Sequence, residues 1–464
     1  MRAHALVALL IALRGLAMPL EERRELREEA RRLFSFAWDN YNEHAFPADV
    51  LQPISCKGKE EWGGIALTLV DTLDTLALMG NASEFERGVR YCVEQLSFDV
   101  DSTVSLFETN IRALGGLLAA HAFASDGSLG LLSGRYPDDY RGKHGAGLLP
   151  LALDLGRRLL PALDTPSGIP YGSINLRRGV DRAETPVVCA AAVGTLVMEF
   201  GALSRWSGEA RFEAAAKRAA VALWKLRSEH DLVGAHVNLR TGVWTQADAG
   251  VGRGIDSFYE YMLKGHMLLG DIEYLAIFHD AYHAALRHLK QGPWYVDVHL
   301  ATAQMTWPLY NSLQSFWPGL QMLLGELELG VETLRAFHTL WRELGFHPEG
   351  FNLAAMQVQP GQTGYAARSH FTYDLGEFYL GLRALSHRYP LRPEHVESLF
   401  WAHRTTHADE WLHAGRDVLR SLERLKLPCG LASVADVSSG TLEDKMESFF
   451  LSETAKHAEI RSPR

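Results

Sequence analysis

The sequence predicts an all-α protein in which about seven antiparallel helix pairs surround a common centre. Helical periodicity dominates the 464 residues, and four segments combine a small or polar start, an aromatic residue and a long amphipathic run. The aromatic residues are Phe85, Phe212, Tyr274 and Trp411, separated by 127, 62 and 137 residues. These spacings approximate two, one and two units of about 65 residues, a length that suits one helix pair with its loops.

Seven such pairs can close into a ring or stack into an open solenoid, and periodicity alone does not separate the two shapes. A closed ring is favoured because acidic motifs recur from unit to unit, and such motifs need a shared centre. No linker or shift in composition divides the chain, so residues 18–464 are predicted to form one domain. The periodicity breaks in two stretches, 125–147 and 347–390, which we expect to be irregular.

The first 17 residues predict a secretory signal peptide. A basic start precedes an apolar run over residues 5–13 and small residues near Ala17. A signal anchor is the alternative, but the run is too short to span a bilayer. No later stretch is long enough either, so no membrane span is expected after removal of the leader. The net charge of −10 and the absence of long Lys/Arg runs argue against nucleic acid as the main partner.

Two further features agree with a secretory protein. The sequon at Asn81 is an acceptor for an N-linked glycan in that pathway. The four cysteines lack metal-ligand spacing, and one disulfide is expected in an oxidising compartment. Cys56 and Cys429 lie in loop-like settings, whereas Cys92 and Cys189 lie in helical apolar patterns typical of buried thiols.

The most informative segment is 104–116, where Glu108 and Arg112 share one face of an otherwise apolar helix. Burying a carboxylate costs several kcal/mol unless it is paired or used. Acids recur in similar settings at Asp71, Asp74, Asp256, Glu260, Glu394, Glu397 and Glu447. The set predicts a pocket lined with carboxylates.

Five of these acids also have a local structural explanation, which the sequence leaves open. Glu108 and Glu260 each stand three residues after a serine, as in a capping box. Asp256 suits an N-cap, and Glu394 and Glu397 suit the positive end of a helix dipole. Caps do not account for Arg112, nor for the buried pair Asp71 and Asp74.

Paired acids that face a central cavity suit glycoside hydrolysis, in which one carboxyl protonates the leaving oxygen and another activates water or attacks carbon. Aromatic side chains can stack on sugar rings, although each one alone is more often part of a core. The candidates for stacking are Phe258, Tyr259, Tyr310, Phe316 and Trp317.

Five segments, 67–76, 107–116, 256–261, 391–398 and 445–454, carry a family resemblance. In these segments the sequence resembles glycoside hydrolase family 47, the α-1,2-mannosidases of the secretory pathway. Segments 184–186, 252–256 and 426–432 are similar to its ER degradation-enhancing α-mannosidase-like branch, which trims mannose from N-glycans of misfolded glycoproteins. Gly254 stands where the processing mannosidases usually carry an arginine, a difference that opens the pocket.

The resemblance implies an (α/α)7 barrel with a C-terminal segment plugging it, and hydrolysis with inversion at the anomeric carbon. Glu108 matches the general acid, Glu394 the general base, and Asp256 a second carboxylate of debated role. The residues matched to substrate binding are Arg112, Glu397, Glu447, Asp71 and Asp74.

The resemblance further implies Ca²⁺ held by Thr454, a hard cation that prefers oxygen ligands. Cys56 and Cys429 match cysteines that pair in this branch, where the bridge is linked to a thioredoxin-like oxidoreductase. It also implies residence in the endoplasmic reticulum lumen and high-mannose N-glycans as substrates. Two departures stand out: the sequence after Ser452 lacks the family's aromatic-rich run, and residues 366–378 look like an insertion.

Two other function classes remain at this point. One is a lectin-like quality-control adaptor that binds mannose glycans with little turnover, and the other is a helical scaffold whose acids are only caps. Mannose release separates the first alternative from an enzyme. Function that survives combined replacement of Glu108 and Glu394 identifies the second.

Overall fold

A computed structural model describes residues 17–359 and 386–458. Within these ranges the chain is mainly helical. The predicted leader, apart from its last residue, and the apparent insertion at 366–378 lie outside the described residues.

Fourteen helices make up the body of the described chain. They are α1 (Leu20–His44), α2 (Leu67–Met79), α3 (Ala82–Glu94), α4 (Gly115–Ser125), α5 (Leu149–Leu159), α6 (Val197–Ser207), α7 (Arg211–Trp224), α8 (Asp256–Leu269), α9 (Ile272–His288), α10 (Trp317–Leu324), α11 (Leu327–Leu344), α12 (Glu394–Thr406), α13 (Glu410–Glu423) and α14 (Ala455–Ala458). Shorter helical turns are Leu106–Glu108, Gly127–Leu129, Leu160–Leu163, Ala190–Gly194 and Ser312–Phe316, together with the π-helical turns Thr109–Leu114 and Phe450–Thr454.

The even-numbered helices form an inner ring, and the odd-numbered helices pack outside it. Inner neighbours contact each other from α2 through α4 and α6 to α8, and from α10 through α12 and α14 back to α2. Between α8 and α10 the rings of Tyr259 and Trp317 meet at 5.2 Å. The N-terminal helix α1 packs against α14, so the seventh pair combines both ends of the described chain. The predicted (α/α)7 barrel is confirmed, and the open solenoid is wrong.

The repeated aromatic residues mark corresponding places in four outer helices. Phe85, Phe212, Tyr274 and Trp411 lie in the first turn of α3, α7, α9 and α13, and each is buried. Burying such a side chain contributes about 1.5–3 kcal/mol, which holds each outer helix against the inner ring. The sequence repeat therefore reflects the repeated packing of outer helices.

Short antiparallel strands occupy the loops, chiefly those that lead from an outer helix to the next inner helix. They are β1 (Val50–Gln52), β2 (Lys57–Lys59), β3 (Thr103–Ser105), β4 (Arg141–Gly142), β5 (Gly145–Ala146), β6 (Ser173–Asn175), β7 (Val187–Cys189), β8 (His236–Asn238), β9 (Trp244–Gln246), β10 (Asp248–Ala249), β11 (Lys290–Gln291), β12 (Trp294–Tyr295), β13 (Asp297–His299), β14 (Met305–Trp307), β15 (Leu309–Tyr310), β16 (Phe351–Asn352), β17 (Gln357–Val358), β18 (Lys426–Leu427), β19 (Gly430–Leu431), β20 (Ser433–Asp436) and β21 (Thr441–Glu443). The opposite connections, apart from the long one between α4 and α5, are tight turns, as at Gly80 and Gly270, where φ of +76° and +74° favours glycine.

This arrangement gives the barrel one end built from sheets and loops, at which the inner helices begin. The stretch 125–147 is irregular as predicted and contains one short helical turn and the β4–β5 hairpin. The C-terminal segment that includes α14 fills the gap between α12 and α2 and lines the central cavity, so the predicted closure of the barrel by this segment is confirmed.

A disulfide between Cys56 and Cys429 joins the β1–β2 turn to the β18–β19 turn, as the family resemblance implied. Cys92 and Cys189 are buried thiols, which confirms the expectation from their apolar settings. Among the described helices, none is long and apolar enough to cross a bilayer.

Candidate active site

A cavity of about 510 Å³ lies inside the ring of inner helices. Its walls carry an unusual number of charged side chains. The acids are Asp71, Asp74, Glu108, Asp256, Glu260, Glu394, Glu397 and Glu453, and the bases are Arg112, Arg253, Lys264, Arg392 and Lys456. If all thirteen are ionised, acids outnumber bases by three, so the cavity favours a cationic or hydroxyl-rich ligand.

Glu108 enters this cavity from a helical turn that begins directly after Ser105. The Ser105 hydroxyl accepts a hydrogen bond from the Glu108 backbone N–H at 3.3 Å, which is the backbone half of a capping box. The Glu108 carboxylate does not return to the cap. It forms an ion pair with Arg112 Nη2 at 2.7 Å, four residues on across the π-helical turn. The cap therefore fixes the start of the helix and leaves the carboxylate for the cavity.

Arg112 connects Glu108 to the C-terminal segment. Its Nη1 lies 3.8 Å from the Glu447 carboxylate and donates to the Ser448 hydroxyl at 3.4 Å. Its guanidinium lies 5.0 Å from the ring centre of Phe449. Although burial opposes its charge, the Glu108 and Glu447 carboxylates raise the pKa of Arg112. Arg112 lines the cavity, whereas Glu447 contacts Arg112 and does not itself line the cavity.

The two aspartates of α2 face the same C-terminal segment. Asp71 accepts a hydrogen bond from the Ser448 hydroxyl at 2.5 Å, and burial raises its pKa. Asp74 forms an ion pair with Lys456 at 2.8 Å. These contacts attach the segment that closes the barrel to the first inner helix.

A third cluster connects α8 to α12. Lys264 forms ion pairs with Glu260, one turn earlier on α8, and with Glu397 of α12 at 3.1 Å. The capping box proposed for Glu260 is wrong because α8 already begins at Asp256, which places Ser257 inside the first turn. Asp256 is not the cap either, since its carboxylate accepts from the adjacent N–H of Ser257 at 2.8 Å.

Four acids of the cavity, Asp71, Asp256, Glu394 and Glu453, have no ion-pair partner among the residues that the structure describes. Of these, Asp71 accepts a hydrogen bond from the Ser448 hydroxyl. Burial raises the pKa of Asp256 to about 6 and that of Glu453 to about 7. Burial also raises the pKa of Glu394 well above its usual value, although the Arg392 guanidinium opposes this shift. Asp256 and Glu453 are therefore carboxyls that can exchange protons near neutral pH.

Glu394 and Glu397 lie in the first turn of α12, where the helix dipole favours acids, as the structural alternative predicted. The dipole does not explain where their side chains lie, because both line the cavity. The second oxygen of Glu394 is buried and accepts no hydrogen bond within ranges 17–359 and 386–458. Glu394 therefore combines a cavity position with an unsatisfied acceptor, whereas Glu397 is compensated by Lys264.

The residues around Thr454 fit an oxygen-preferring cation. The buried Thr454 hydroxyl donates to the Leu391 carbonyl at 2.7 Å, so the oxygen keeps its lone pairs for a cation. The adjacent Glu453 lines the cavity without a cationic partner. No three His, Cys, Asp or Glu side chains of the described chain group into a metal cage. Any cation here would need further oxygen ligands from a substrate or from water.

Most of the aromatic candidates for sugar stacking belong to the core. Phe258, Tyr259, Tyr310 and Trp317 are at most 1% exposed and line no part of the central cavity. Only Phe316 contributes to its wall, which confirms the expectation that each aromatic alone is more often core.

The cavity residues without a role assigned from the sequence include Lys264, Arg392, Phe449 and Glu453. Lys264 follows Glu260 by four residues on a helix, a spacing that can reveal an ion pair. The other three lie inside the recognised segments.

Asn81 is the N-cap of α3, and its side-chain oxygen accepts a hydrogen bond from the Glu84 N–H at 3.3 Å. The side-chain nitrogen that would carry a glycan takes no part in this cap. Glycosylation of Asn81 stays a prediction.

The ring and the acids at its centre define the class of this protein, an (α/α) barrel with a carboxylate-lined pocket of the kind that cleaves glycosidic bonds. A family model described as glycosyl hydrolase family 47 matches residues 33–458. The chain belongs to glycosyl hydrolase family 47.

Three comparisons place the chain within this family. An α-mannosidase I of Arabidopsis thaliana is 47% identical over 438 residues, which cover 94% of this chain and 65% of the relative. The ER degradation-enhancing α-mannosidase-like protein 2 of Homo sapiens is 38% identical, and the match covers 93% of this chain and 69% of that protein. The solved α-1,2-mannosidase from Trichoderma reesei superposes with a TM-score of 0.76 at 26% identity, covering 94% and 93% of the two chains. The chain thus spans about two thirds of the length of the Arabidopsis thaliana and Homo sapiens proteins.

Proposed function

We propose that this protein is an α-1,2-mannosidase that hydrolyses terminal mannose from high-mannose N-glycans with inversion. The observation that carries the proposal is the presence of Asp256 and Glu394, two buried carboxyls without an ion-pair partner in the described chain, in the same cavity as Glu108. Membership of the family and likeness to an α-1,2-mannosidase of known structure support the choice of substrate.

An inverting glycosidase needs one carboxyl to protonate the leaving oxygen and another to activate water, about 6.5–9.5 Å apart. We assign Glu394 as the general base, Glu108 as the general acid, and Asp256 as a second carboxylate that assists proton transfer. Burial raises the pKa of Glu394 and so opposes its ionised form, and nearby positive charge favours the basic carboxylate. Arg392 supplies part of that charge.

The remaining charged residues are proposed to bind the sugar. Arg112, Asp71, Asp74 and Glu397 offer donors and acceptors suited to hydroxyl groups. Glu447 acts through Arg112, which it faces at 3.8 Å. Lys456 forms an ion pair with Asp74, and Lys264 forms one with Glu397 and lowers the pKa of that carboxyl against the effect of burial.

We further propose that Thr454 holds Ca²⁺ in the active protein. When bound, the cation would orient sugar hydroxyls or water and would add positive charge near the buried carboxyls. The hydroxyl geometry of Thr454 and the excess of acids in the cavity support this assignment.

Chelation should abolish mannose release. Purified protein incubated with a high-mannose glycan and Ca²⁺ is expected to give products that lose hexose units stepwise, as read by mass spectrometry. The same protein after chelation should leave the glycan intact, and added Ca²⁺ should restore trimming because the binding oxygens remain in place. An unchanged product profile after chelation would contradict the metal assignment. Glycan binding without release, even with Ca²⁺ and a thioredoxin-like protein, would favour the lectin-like adaptor.

In the cell, we propose a role in the lumen of the endoplasmic reticulum, where trimming marks misfolded glycoproteins for degradation. The names of the related proteins support this setting. Cys56 is exposed, which makes the Cys56–Cys429 bridge a candidate contact for a thioredoxin-like oxidoreductase.

A further inference from the structure

Met18, the residue that directly follows the predicted leader, is held on both sides of its backbone. Its N–H donates to the Asp409 carboxylate at 2.7 Å, and its carbonyl accepts from Arg23 Nε at 3.0 Å. Met18 is only 3% exposed, and it lines a small cavity between α1 and α13. Ala17, the last residue of the predicted leader, is exposed. The boundary that the sequence predicts for the leader therefore coincides with the point at which the chain joins the folded body.

The carboxylate of Asp409 serves the start of α1 and not its own helix. Asp409 directly precedes α13, a position at which an aspartate often caps the helix, but its side chain makes no capping hydrogen bond. Both of its oxygens accept from Arg23 Nη2 at 2.8 Å, and one of them also accepts from Met18. The side chain of Asp409 is 15% exposed, so solvent screens this contact only in part.

We propose that the leader is removed by hydrolysis of the peptide bond between Ala17 and Met18, and that the α-ammonium group so formed binds Asp409. Water supplies a hydroxyl to the carbonyl carbon of Ala17 and a hydrogen to the nitrogen of Met18, and the amine takes up one more proton from solvent at neutral pH. A leader-cleaving peptidase must act before folding is complete, because Met18 is buried in the folded protein.

The new terminus forms a latch between the two ends of the described chain. A peptide N–H donates one hydrogen bond, whereas an α-ammonium has three donors and a full charge, which strengthens its bond to a carboxylate. The contact joins the start of α1 to the turn between α12 and α13, and α1 also packs against α14. Because α14 belongs to the segment that lines the central cavity, removal of the leader is expected to stabilise the closed ring.

The first test identifies the terminus that processing leaves. The full chain would be expressed in the secretory pathway of a eukaryotic cell, purified, digested with trypsin and analysed by mass spectrometry. Removal of the leader before Met18 gives the peptide 18–23, whereas a retained leader gives 15–23, because trypsin cleaves after Arg14 and Arg23. Recovery of 18–23 is expected. A terminus at any other residue, or recovery of 15–23 alone, would overturn the proposal.

The second test asks whether Asp409 holds the α-amine. Proteins that begin at Met18 and at Ala17 would be released from fusions by a protease that leaves no extra residue, and would then be treated briefly with acetic anhydride at pH 7. The tryptic peptides 18–23 and 17–23 contain no lysine, so their acetylation reports the α-amine alone. The Met18 amine is expected to react about tenfold more slowly, because only the uncharged amine reacts and the ion pair favours the charged form. In denaturant the two rates should be equal.

Asp409→Asn should bring the rate of the Met18 amine to within about twofold of the Ala17 rate, because it removes the charge that holds the ammonium. Asp417→Asn is the matched control and should leave the protection unchanged, since Asp417 lies on the same helix, α13, and faces His338 at 3.5 Å. Equal rates for the two starting residues in the folded proteins, or protection that persists in Asp409→Asn, would contradict the proposal. If Asp409→Asn does not fold, the comparison of the two starting residues decides the question.

Discussion

Replacing Glu394 with glutamine is expected to lower the rate of mannose release by about 10²–10⁴-fold, because the variant loses the proposed general base. The fold should persist. Glutamine has the same shape, and Glu394 forms no ion pair in the described chain that the replacement would break. Removing a carboxyl whose pKa is raised by burial should leave thermal stability unchanged or slightly higher at pH 7. Hexose release per enzyme and the thermal midpoint are the two measurements.

Glu328→Gln provides the control for this variant. Glu328 also lies in the first turn of a helix, α11, but it is exposed on the outer ring. It should change neither rate nor stability. Undiminished trimming by Glu394→Gln would remove Glu394 from the catalytic assignment.

Replacing Arg112 with methionine should destabilise the protein by about 3–5 kcal/mol, because it leaves buried acids without their cation. Arg112 is 10% exposed and faces both Glu108 and Glu447, and of these only Glu447 has a second cationic partner, Lys445 at 2.9 Å. The loss should appear as a lower thermal midpoint and a lower denaturant midpoint. Arg112→Lys should recover only part of the lost stability, because a lysine lacks the planar guanidinium with which Arg112 contacts two carboxylates at once.

Arg335→Met is the matched control, because the ion pair of Arg335 with Glu410 is exposed and should contribute less than about 1 kcal/mol.

The effect of Arg112→Met on stability should also depend on pH. Lys445 and Arg112 hold the pKa of Glu447 below its usual value against the effect of burial. Its contribution to stability is therefore present above pH ~4.3 and is lost as pH falls through the lower folded-state value. A difference between wild type and variant that widens toward acid pH would contradict this explanation.

The positions of the acids could be predicted because each occupies a repeated place in the fold. Asp256 and Glu394 are the first residues of inner helices, and Glu108 ends the short turn before another. The loops at that end of the barrel direct all three into one cavity. The recurrence of acids from one helix pair to the next therefore predicts that these acids share a centre.

The partners of these acids could not be predicted, because they come from distant parts of the chain. Lys456 compensates Asp74 across 382 residues, and Lys264 connects to Glu397 across 133. The capping box assigned to Glu260 failed for a related reason. A cap at Ser257 requires a helix that begins at Phe258, but the helix begins two residues earlier, at Asp256, and Ser257 therefore lies inside it.

The most direct test of the central claim is the configuration of the first mannose released from a high-mannose glycan, followed by proton NMR immediately after mixing with enzyme and Ca²⁺. A water activated by Glu394 would attack the face opposite the leaving oxygen, so β-mannose should appear first and the α anomer only later through mutarotation. Initial release of α-mannose would contradict the inverting assignment of Glu394 and Glu108. Absence of any free mannose would contradict hydrolysis itself.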